Sequence, residues 1–272
     1  MLPVLFRIGR LEIHTYGFLL AVSFLVGIYW SMARAKKRGI KREDVMDLSF
    51  IIILCAIIGS RLLYVVTHLE EFKGRWLDTI SPFQSTGEIG IPGLTMLGGV
   101  VLVLIAIVIF CRVKNIPLLR LCDVFAPSFG LGIFLTRIGC FSAGCCFGKP
   151  CELPWGIIFP LTSPAGTTLQ GVHIHPTQLY SSLYGLIIMV VIILLDRKRH
   201  FDGFLASVFF MLYGISRFWV VFVRYYESSV TFSFIGVTFT VNQAISFFMF
   251  CVGLYLMING HMKTKNVGST KE

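Results

Sequence analysis

Residues Val124–Gly148 read VFAPSFGLGIFLTRIGCFSAGCCFG, an uncharged run that reaches an arginine and then three cysteines among small residues. An arginine in hydrocarbon is costly, by roughly 2.5–3.5 kcal/mol on insertion scales at a helix centre. Such an arginine usually faces a cavity and marks a functional site. Arg137 therefore predicts a polar site at headgroup depth, where a membrane span ends.

The composition of the whole chain is typical of an integral membrane protein. Of its 272 residues, 56% are hydrophobic and 14% are charged, whereas a soluble domain carries about 25% charged residues. The formal net charge is +10. The basic residues cluster in short loops between apolar runs, which is a topology signal. We therefore expect the lipid bilayer, and no nucleic acid, as the environment of this chain.

Seven apolar runs are long enough to cross a bilayer, which takes roughly 20 mostly apolar residues. They predict an all-α, polytopic membrane protein with seven transmembrane helices. The predicted spans are Thr15–Ala33, Val45–Thr67, Leu97–Cys111, Leu118–Ile138, Thr177–Leu195, Phe204–Val223 and Phe234–Ile258. We expect a single transmembrane domain over residues 1–260, followed by a polar cytoplasmic tail over residues 261–272.

The basic loops predict the orientation of these spans. Lysines and arginines gather at residues 34–42, 112–120 and 197–199 and in the tail. With seven spans these four regions lie on one side, and the positive-inside rule makes that side cytoplasmic. The N-terminus is then outside and the C-terminus is cytoplasmic. Two long extracytoplasmic loops, residues 68–96 and 140–176, lie opposite the basic side.

Four arginines lie near the predicted outer ends of spans: Arg61, Arg137, Arg217 and Arg224. Arg217 and Arg224 are two helical turns apart on nearly one face, which Tyr213 shares. The spans place no acidic residue near these arginines in the sequence, and a guanidinium fork suits phosphate. The pattern predicts an anionic guest. The alternative is that these side chains only snorkel to the interface.

Polar residues also open the fifth span, which begins His175-Pro176-Thr177-Gln178-Leu179-Tyr180. Proline suits the start of a helix. A buried Gln178 needs hydrogen-bond partners, which favours a role in the site. Tyr180 fits an ordinary interfacial aromatic residue. His175 is either a base or merely exposed.

Glycines stand at two places that the site argument needs. Gly98-Gly99 opens the third span, and Gly148 follows the cysteines. Glycine permits a close approach of backbones. The approach can be that of a neighbouring helix, or that of a phosphate facing backbone N–H groups. Both explanations stay open for these glycines.

Cysteines cluster at Cys140, Cys145, Cys146 and Cys151, on the predicted oxidising side. They fit a structural disulfide, free thiols that line a site, or a metal site. The spacing is not that of paired C-x-x-C motifs, and no ligand-spaced histidine follows. We therefore expect no metal and no dissociable cofactor.

Taken in order along seven spans, several motifs resemble the bacterial prolipoprotein diacylglyceryl transferases over nearly the whole chain. The matching motifs are Tyr16-Gly17, Gly59–Tyr64, Gly98-Gly99, Asp123–Pro127, Arg137–Gly148, His175–Tyr180 and Tyr213-Gly214 with Arg217 and Arg224. The resemblance implies transfer of the sn-1,2-diacylglyceryl group of phosphatidylglycerol to the lipobox cysteine of a prolipoprotein signal peptide. A thioether forms and glycerol phosphate leaves. It also implies a monomer in the bacterial cytoplasmic (inner) membrane, with its active site toward the extracytoplasmic side.

The resemblance assigns roles to matching residues. Arg137 and Arg217 would bind the phosphate, and Tyr16 and Tyr213 would orient the lipid or the thiol. The remaining catalytic candidate is His175. The predicted substrate-binding residues are Arg61, Gly98, Gly99, Gly148, Gln178, Arg224, Cys140 and Cys145. Asp123 lies toward the predicted cytoplasmic end of its span, so we expect a structural role for it.

The chain departs from the family pattern at four positions. Leu97 stands where the family has a histidine that is a proposed base, and Val221 replaces a glutamate. Cys140 and Cys145 replace an asparagine and a glutamate. If the reaction persists, Tyr16, Tyr213, His175 or a site thiolate takes over proton removal. The chain is then a divergent, cysteine-rich member, and a changed acceptor or lost activity are the alternatives.

Two other functions fit parts of the sequence. A membrane thiol-redox protein would use the four clustered cysteines, but it leaves the outward arginines unexplained. A lipid or anion transporter would show polar residues along a full pathway and inverted repeats. In this chain Arg137, Arg217, Arg224 and Gln178 gather toward one side, which favours a reaction chamber.

Overall fold

The computed structural model describes residues 2–8, 11–72, 95–198, 200–226, 231–234 and 237–269. These residues are mostly helical, and seven of their helices are long and apolar enough to cross a membrane. The predicted fold class is therefore confirmed. The seven helices are α1 (Thr15–Ala35), α2 (Arg42–Thr67), α3 (Met96–Val113), α4 (Leu118–Ala143), α6 (Thr177–Leu195), α7 (Phe204–Val223) and α8 (Val241–Ser269), and a short helix, α5 (Pro164–Thr168), lies between α4 and α6.

Two strand pairs accompany the helices. Strands β1 (Val4–Ile8) and β2 (Leu11–His14) form an antiparallel pair directly before α1. Strands β3 (Thr231–Phe234) and β4 (Val237–Thr240) form a second pair, in which Thr231 lies opposite Thr240. The predicted start of the seventh span at Phe234 is therefore wrong, since α8 begins at Val241. Alternating threonine, phenylalanine and valine favour a strand over a helix here.

Helix α4 runs five residues beyond its predicted end at Ile138 and stops at Ala143. Gly144 ends the helix in the left-handed region, with φ of 68°. Glycine is the residue that most readily adopts this conformation at a helix C-terminus. The extension matters for function because it places Cys140 inside the last turns of the helix.

Part of the predicted loops and tail lies outside the described residues. The predicted outer loop 68–96 is described at its two ends, without residues 73–94. The predicted tail 261–272 is described to Ser269 and continues helix α8.

The chain divides into two compact units, of which Met32–Leu121 is one. Within it α2 and α3 pack closely through glycines. A Cβ on Gly59 would lie 2.5 Å from the Gly98 carbonyl oxygen, and one on Gly99 would collide with the Ser60 hydroxyl. The Gly98 N–H already donates to the Thr95 carbonyl over 3.1 Å. Helix packing thus accounts for both Gly98 and Gly99, and a phosphate contact stays a prediction.

The other unit comprises Met1–Ser31 and Cys122–Glu272. Its core is built mainly from one face of α6 and one face of α7, with Ala126 of α4. Gly185 of α6 lets the helix approach α4, because a Cβ there would lie 2.8 Å from the Phe134 nitrogen. The ends of α4, α6 and α7 are thereby fixed within one rigid packing arrangement.

Asp123 anchors α7 from within α4. Its carboxylate is fully buried and accepts 2.9 Å hydrogen bonds from the backbone N–H groups of Gly203 and Ala206. These groups belong to the helix N-terminus, where the first N–H groups lack intrahelical partners and a negative charge is favourable. These hydrogen bonds agree with the structural role predicted for Asp123.

Candidate active site

Tyr16 and the end of α4 come together at a glycine. A Cβ on Gly139 would lie 3.0 Å from the Tyr16 Cα, so the absence of a side chain at residue 139 lets the first turn of α1 pack against α4. The Tyr16 hydroxyl consequently interacts electrostatically with Cys140, Cys145 and Arg137. The predicted catalytic residues Tyr16 and Arg137 are neighbours.

Tyr184 lies within electrostatic range of both central arginines, and its buried hydroxyl has no hydrogen-bond partner among the described residues. Its hydroxyl interacts electrostatically with Arg137 of α4, with Arg217 of α7 and with Tyr213. The rings of Tyr184 and Tyr213 pack edge to face with centroids 6.1 Å apart. One buried guanidinium nitrogen of Arg217, Nη1, has no hydrogen-bond partner. Among the described residues, no carboxylate forms an ion pair with Arg137 or Arg217. This arrangement is a cationic site without an internal counter-ion.

Arg224 joins the site through the segment that follows the cysteines. The backbone of this segment is hydrogen-bonded to the end of α7, from Lys149 N–H to Val223 over 2.8 Å and from Tyr225 N–H to Phe147 over 3.1 Å. The Arg224 guanidinium lies 5.4 Å from the ring centroid of Tyr226 and interacts electrostatically with Cys146. Arg224 is therefore a second cation beside the cysteines, in addition to Arg137.

Gly148 lies where no side chain fits. A Cβ there would lie 2.5 Å from both the Cβ and the carbonyl oxygen of His175, and 2.9 Å from Thr177 Cγ2. Its N–H donates to that same His175 oxygen over 3.1 Å. The glycine is required by the protein's own packing, so its predicted contact with substrate stays a prediction.

The start of α6 holds the cysteine turn. Gln178 donates from Nε2 to the Cys145 carbonyl over 2.8 Å, and the Thr177 hydroxyl donates to the Cys146 carbonyl over 2.9 Å. Gln178 is almost fully buried, and its Oε1 has no hydrogen-bond partner among the described residues. A buried acceptor of this kind is available to a hydroxyl group of a ligand.

His175 belongs to a separate hydrogen-bond network. Its Nδ1 lies 3.3 Å from the Tyr180 hydroxyl, which also accepts a 2.8 Å hydrogen bond from the Trp155 indole. Burial lowers the pKa of His175, so its imidazole is neutral at physiological pH. Tyr180 thus has specific partners beyond those of an interfacial aromatic residue.

Three of the four clustered cysteines converge. The Sγ atoms of Cys140, Cys145 and Cys146 all lie within 4.8 Å of one another, and Cys151 is not part of this group. Cys140, Cys145, Cys146 and Cys151 are all free thiols. The expectation of no metal depends on the spacing of the cysteines along the sequence. The turn after α4 brings three of them together, so their spacing no longer argues against a metal site.

The thiols of the turn differ in acidity. Hydrogen bonds from the Cys140 and Cys145 thiols lower the pKa of Cys146, and the charges of Arg224 and Arg137 act in the same direction. The pKa of Cys145 is raised, because it acts as a hydrogen-bond donor toward these sulfurs and is partly buried. Cys146 therefore ionises more readily than Cys145. Its backbone has a left-handed φ of 62°, which is uncommon for a residue with a side chain.

The structure brings together most, but not all, predicted site residues. Those that adjoin one another are Tyr16, Arg137, Cys140, Cys145, Gln178, Tyr213, Arg217 and Arg224. Arg61, Gly98 and Gly99 belong to the other unit, where the buried Arg61 guanidinium lies 5.0 Å from the Phe72 ring centroid. Their place in the site stays a prediction.

Sequence reasoning missed Tyr184, which interacts electrostatically with both arginines. Its hydroxyl stands in an apolar helix, one turn after Tyr180. A tyrosine hydroxyl in such a helix needs a polar partner. The need for such a partner is the feature of the sequence that could have indicated Tyr184 as a site residue.

Known proteins resemble this chain over most of its length. The profile described as prolipoprotein diacylglyceryl transferase matches residues 3–259. A phosphatidylglycerol–prolipoprotein diacylglyceryl transferase of Clostridium tetani (strain Massachusetts / E88) is 32% identical, covering 82% of this chain and 86% of its own length. The protein of that name from Geobacter sulfurreducens is 30% identical and covers 94% of each chain. The chain therefore belongs to the prolipoprotein diacylglyceryl transferase family.

Proposed function

We propose that this multi-pass membrane protein transfers the sn-1,2-diacylglyceryl group of phosphatidylglycerol to the lipobox cysteine of prolipoproteins. The sulfur attacks the glycerol carbon, the carbon–oxygen bond to phosphate breaks, and glycerol phosphate leaves with the electron pair. The observation that carries the proposal is the pair Arg137 and Arg217, which share Tyr184 and have no carboxylate partner among the described residues. Cations held ready for a leaving phosphate stabilise the transition state.

The remaining residues divide the work of binding. Arg224 assists at the interface, beside Cys146. Tyr16 and Tyr213 orient the lipid or the thiol from positions next to Arg137. The free Oε1 of Gln178 accepts from a substrate hydroxyl. Arg61, Gly98, Gly99, Gly148 and His175 are further predicted contacts.

The site's surroundings are part of the proposal. The protein works as a monomer in the bacterial inner membrane, and phosphatidylglycerol enters sideways from the outer leaflet. The lipobox peptide approaches from the extracytoplasmic side. The excess of basic residues in the opposite loops supports this orientation.

Complementation of a cell depleted of its own transferase tests the function directly. We expect the acceptor cysteine to gain the diacylglyceryl mass, as measured by mass spectrometry of a reporter lipoprotein. Arg137→Ala should strongly reduce the yield of this mass, whereas Arg112→Ala, at the exposed end of α3, should not. Absence of the mass, with the protein stably inserted in the membrane, contradicts the proposal.

A further inference from the structure

Cys140, Cys145 and Cys146, here called the thiol cluster, are held together by the surrounding structure. Helix α4 supplies Cys140, and the turn that supplies the other two contains two left-handed residues, Gly144 and Cys146, with φ of 68° and 62°. Helix α6 fixes both adjacent carbonyl groups through Thr177 and Gln178. A strained turn persists where the surrounding structure holds it, and such turns are common at functional sites.

The separation of the sulfurs suits a single tetrahedral metal ion. Zn–S bonds of about 2.3 Å place neighbouring sulfurs about 3.8 Å apart in a tetrahedron. The three Sγ atoms lie within 4.8 Å of one another, so small rotations about the side chains bring them to this distance. Thiolates are the ligands that select soft or borderline metals such as Zn²⁺. Three protein ligands are the number found in catalytic zinc sites, where the fourth position takes water or substrate.

The charges around the thiol cluster also suit such a complex. Zn²⁺ with three thiolates carries a net negative charge, and a fourth thiolate increases it. Arg137 and Arg224 both interact electrostatically with Cys146. Two cations beside the cluster offset this charge in a partly buried place, where an isolated anion would be costly.

We propose that the thiol cluster binds one Zn²⁺ ion and that the fourth coordination position receives the acceptor cysteine of the prolipoprotein. The second part rests on the proposed function. The acceptor thiol loses its proton to solvent as its sulfur binds the metal, because a coordinating thiol is deprotonated. A sulfur lone pair then forms the carbon–sulfur bond as the carbon–oxygen bond to phosphate breaks. The electron pair leaves with glycerol phosphate, and zinc stays Zn²⁺ throughout.

Binding of the acceptor sulfur at the thiol cluster meets two requirements of the reaction. The nucleophile must be a thiolate, and it must lie beside the cations that receive the leaving phosphate. Coordination within the thiol cluster meets both, since Arg137 interacts with Cys140 and Cys146 and also with Tyr184. The thioether product has no negative charge and is a weaker ligand, so it leaves the metal.

Metal content is the first test and does not depend on activity. The full-length protein, purified in reducing detergent buffer, should hold about one zinc per chain, with Zn–S distances of about 2.3 Å by X-ray absorption. Co²⁺ in its place should give sulfur-to-cobalt charge-transfer bands. Cys140→Ser, Cys145→Ser and Cys146→Ser should each weaken binding at least tenfold. Cys151→Ser is the matched control and should keep the metal. A reduced, folded wild-type protein that takes up neither ion overturns the proposal, as does a disulfide within the thiol cluster in cells.

The role of the metal is tested with the Co²⁺ form of the wild-type protein, so no variant is needed. A lipobox peptide should shift the cobalt bands, and the same peptide with serine in place of its cysteine should not. Removal of zinc by a chelator should abolish thioether formation, and added Zn²⁺ should restore it. Unshifted bands with undiminished activity after chelation overturn the catalytic role. Shifted bands without thioether product from phosphatidylglycerol uphold acceptor binding and contradict the proposed function instead.

Discussion

Arg137 and Arg217 are half-buried, and both interact electrostatically with the Tyr184 hydroxyl. Substitution of either by alanine should lower kcat by about 10²–10³-fold, the range for loss of one preorganised donor to a developing anion. Lysine at either position should restore only part of the loss, since it keeps the charge but loses the planar fork. Initial rates with phosphatidylglycerol vesicles and a lipobox peptide measure this. Equal rates for the lysine and wild-type proteins would show that charge alone is needed.

Cys146 and Cys145 should differ in reactivity when the protein is reduced and free of metal. The lowered pKa of Cys146 keeps its thiolate populated as the pH falls below the ordinary thiol range, so alkylation should continue at pH 6–7. The raised pKa of Cys145 confines its reaction to alkaline pH. Iodoacetamide labelling at several pH values, followed by peptide mass spectrometry, measures both. Labelling of Cys145 before Cys146 at neutral pH would contradict the assignment.

At the scale of elements, Asp123 determines how α7 begins. Asp123→Ala removes the acceptor for two buried N–H groups and should destabilise the protein by about 0.5–2 kcal/mol. Asp123→Asn keeps one acceptor oxygen and should lose less. Thermal unfolding of the detergent-solubilised proteins at one scan rate gives the order. We expect the thioether yield per folded molecule to be unchanged, since Asp123 acts through the helix; a lower yield would contradict a purely structural role.

Gly98 can be explained by the packing of α2 on α3 or by a contact with substrate, and substitutions at this packing distinguish the two. Gly59→Ala and Gly98→Ala place a methyl group against the backbone of the opposite helix, and each should cost about 1–3 kcal/mol. Gly17→Ala is the control, because no atom lies within 4 Å of its added Cβ. If packing is the whole role of Gly98, both variants lose folded protein but keep equal activity per folded molecule. Activity lost in Gly98→Ala alone would support a substrate contact.

The sequence predicts where helices exist better than where they end. Hydropathy detects Val45–Thr67 and Leu118–Ile138 because a bilayer demands long apolar runs. It does not detect the last turns of α4, since Gly139 to Ala143 are small or neutral and local propensity decides their state. It likewise assigned Phe234 to a helix, although the residue ends strand β3.

The site brings together residues that lie far apart in the chain. The periodicity of the sequence predicts only which face of its helix each residue occupies. The arginines could be predicted because a charge in an apolar run is conspicuous. The position of Tyr184 near both arginines could not be predicted, since it depends on how α6 packs against α4 and α7. The convergence of three thiols could not be predicted from their spacing in the sequence either, because it results from the left-handed turn at Gly144 and Cys146.

The orientation of the molecule is the last prediction, and it follows from charge alone. Transfer of lysine- and arginine-rich segments across the membrane is disfavoured, so the exposed Lys36–Lys37 segment should be cytoplasmic and the exposed Glu152 segment should be outside. An epitope inserted after Glu152 should bind antibody on intact spheroplasts, and one after Lys37 should bind only after permeabilisation. Both insertions must retain thioether formation to be counted. The reverse pattern would place the arginines and thiols in the cytoplasm and would contradict an extracytoplasmic active site.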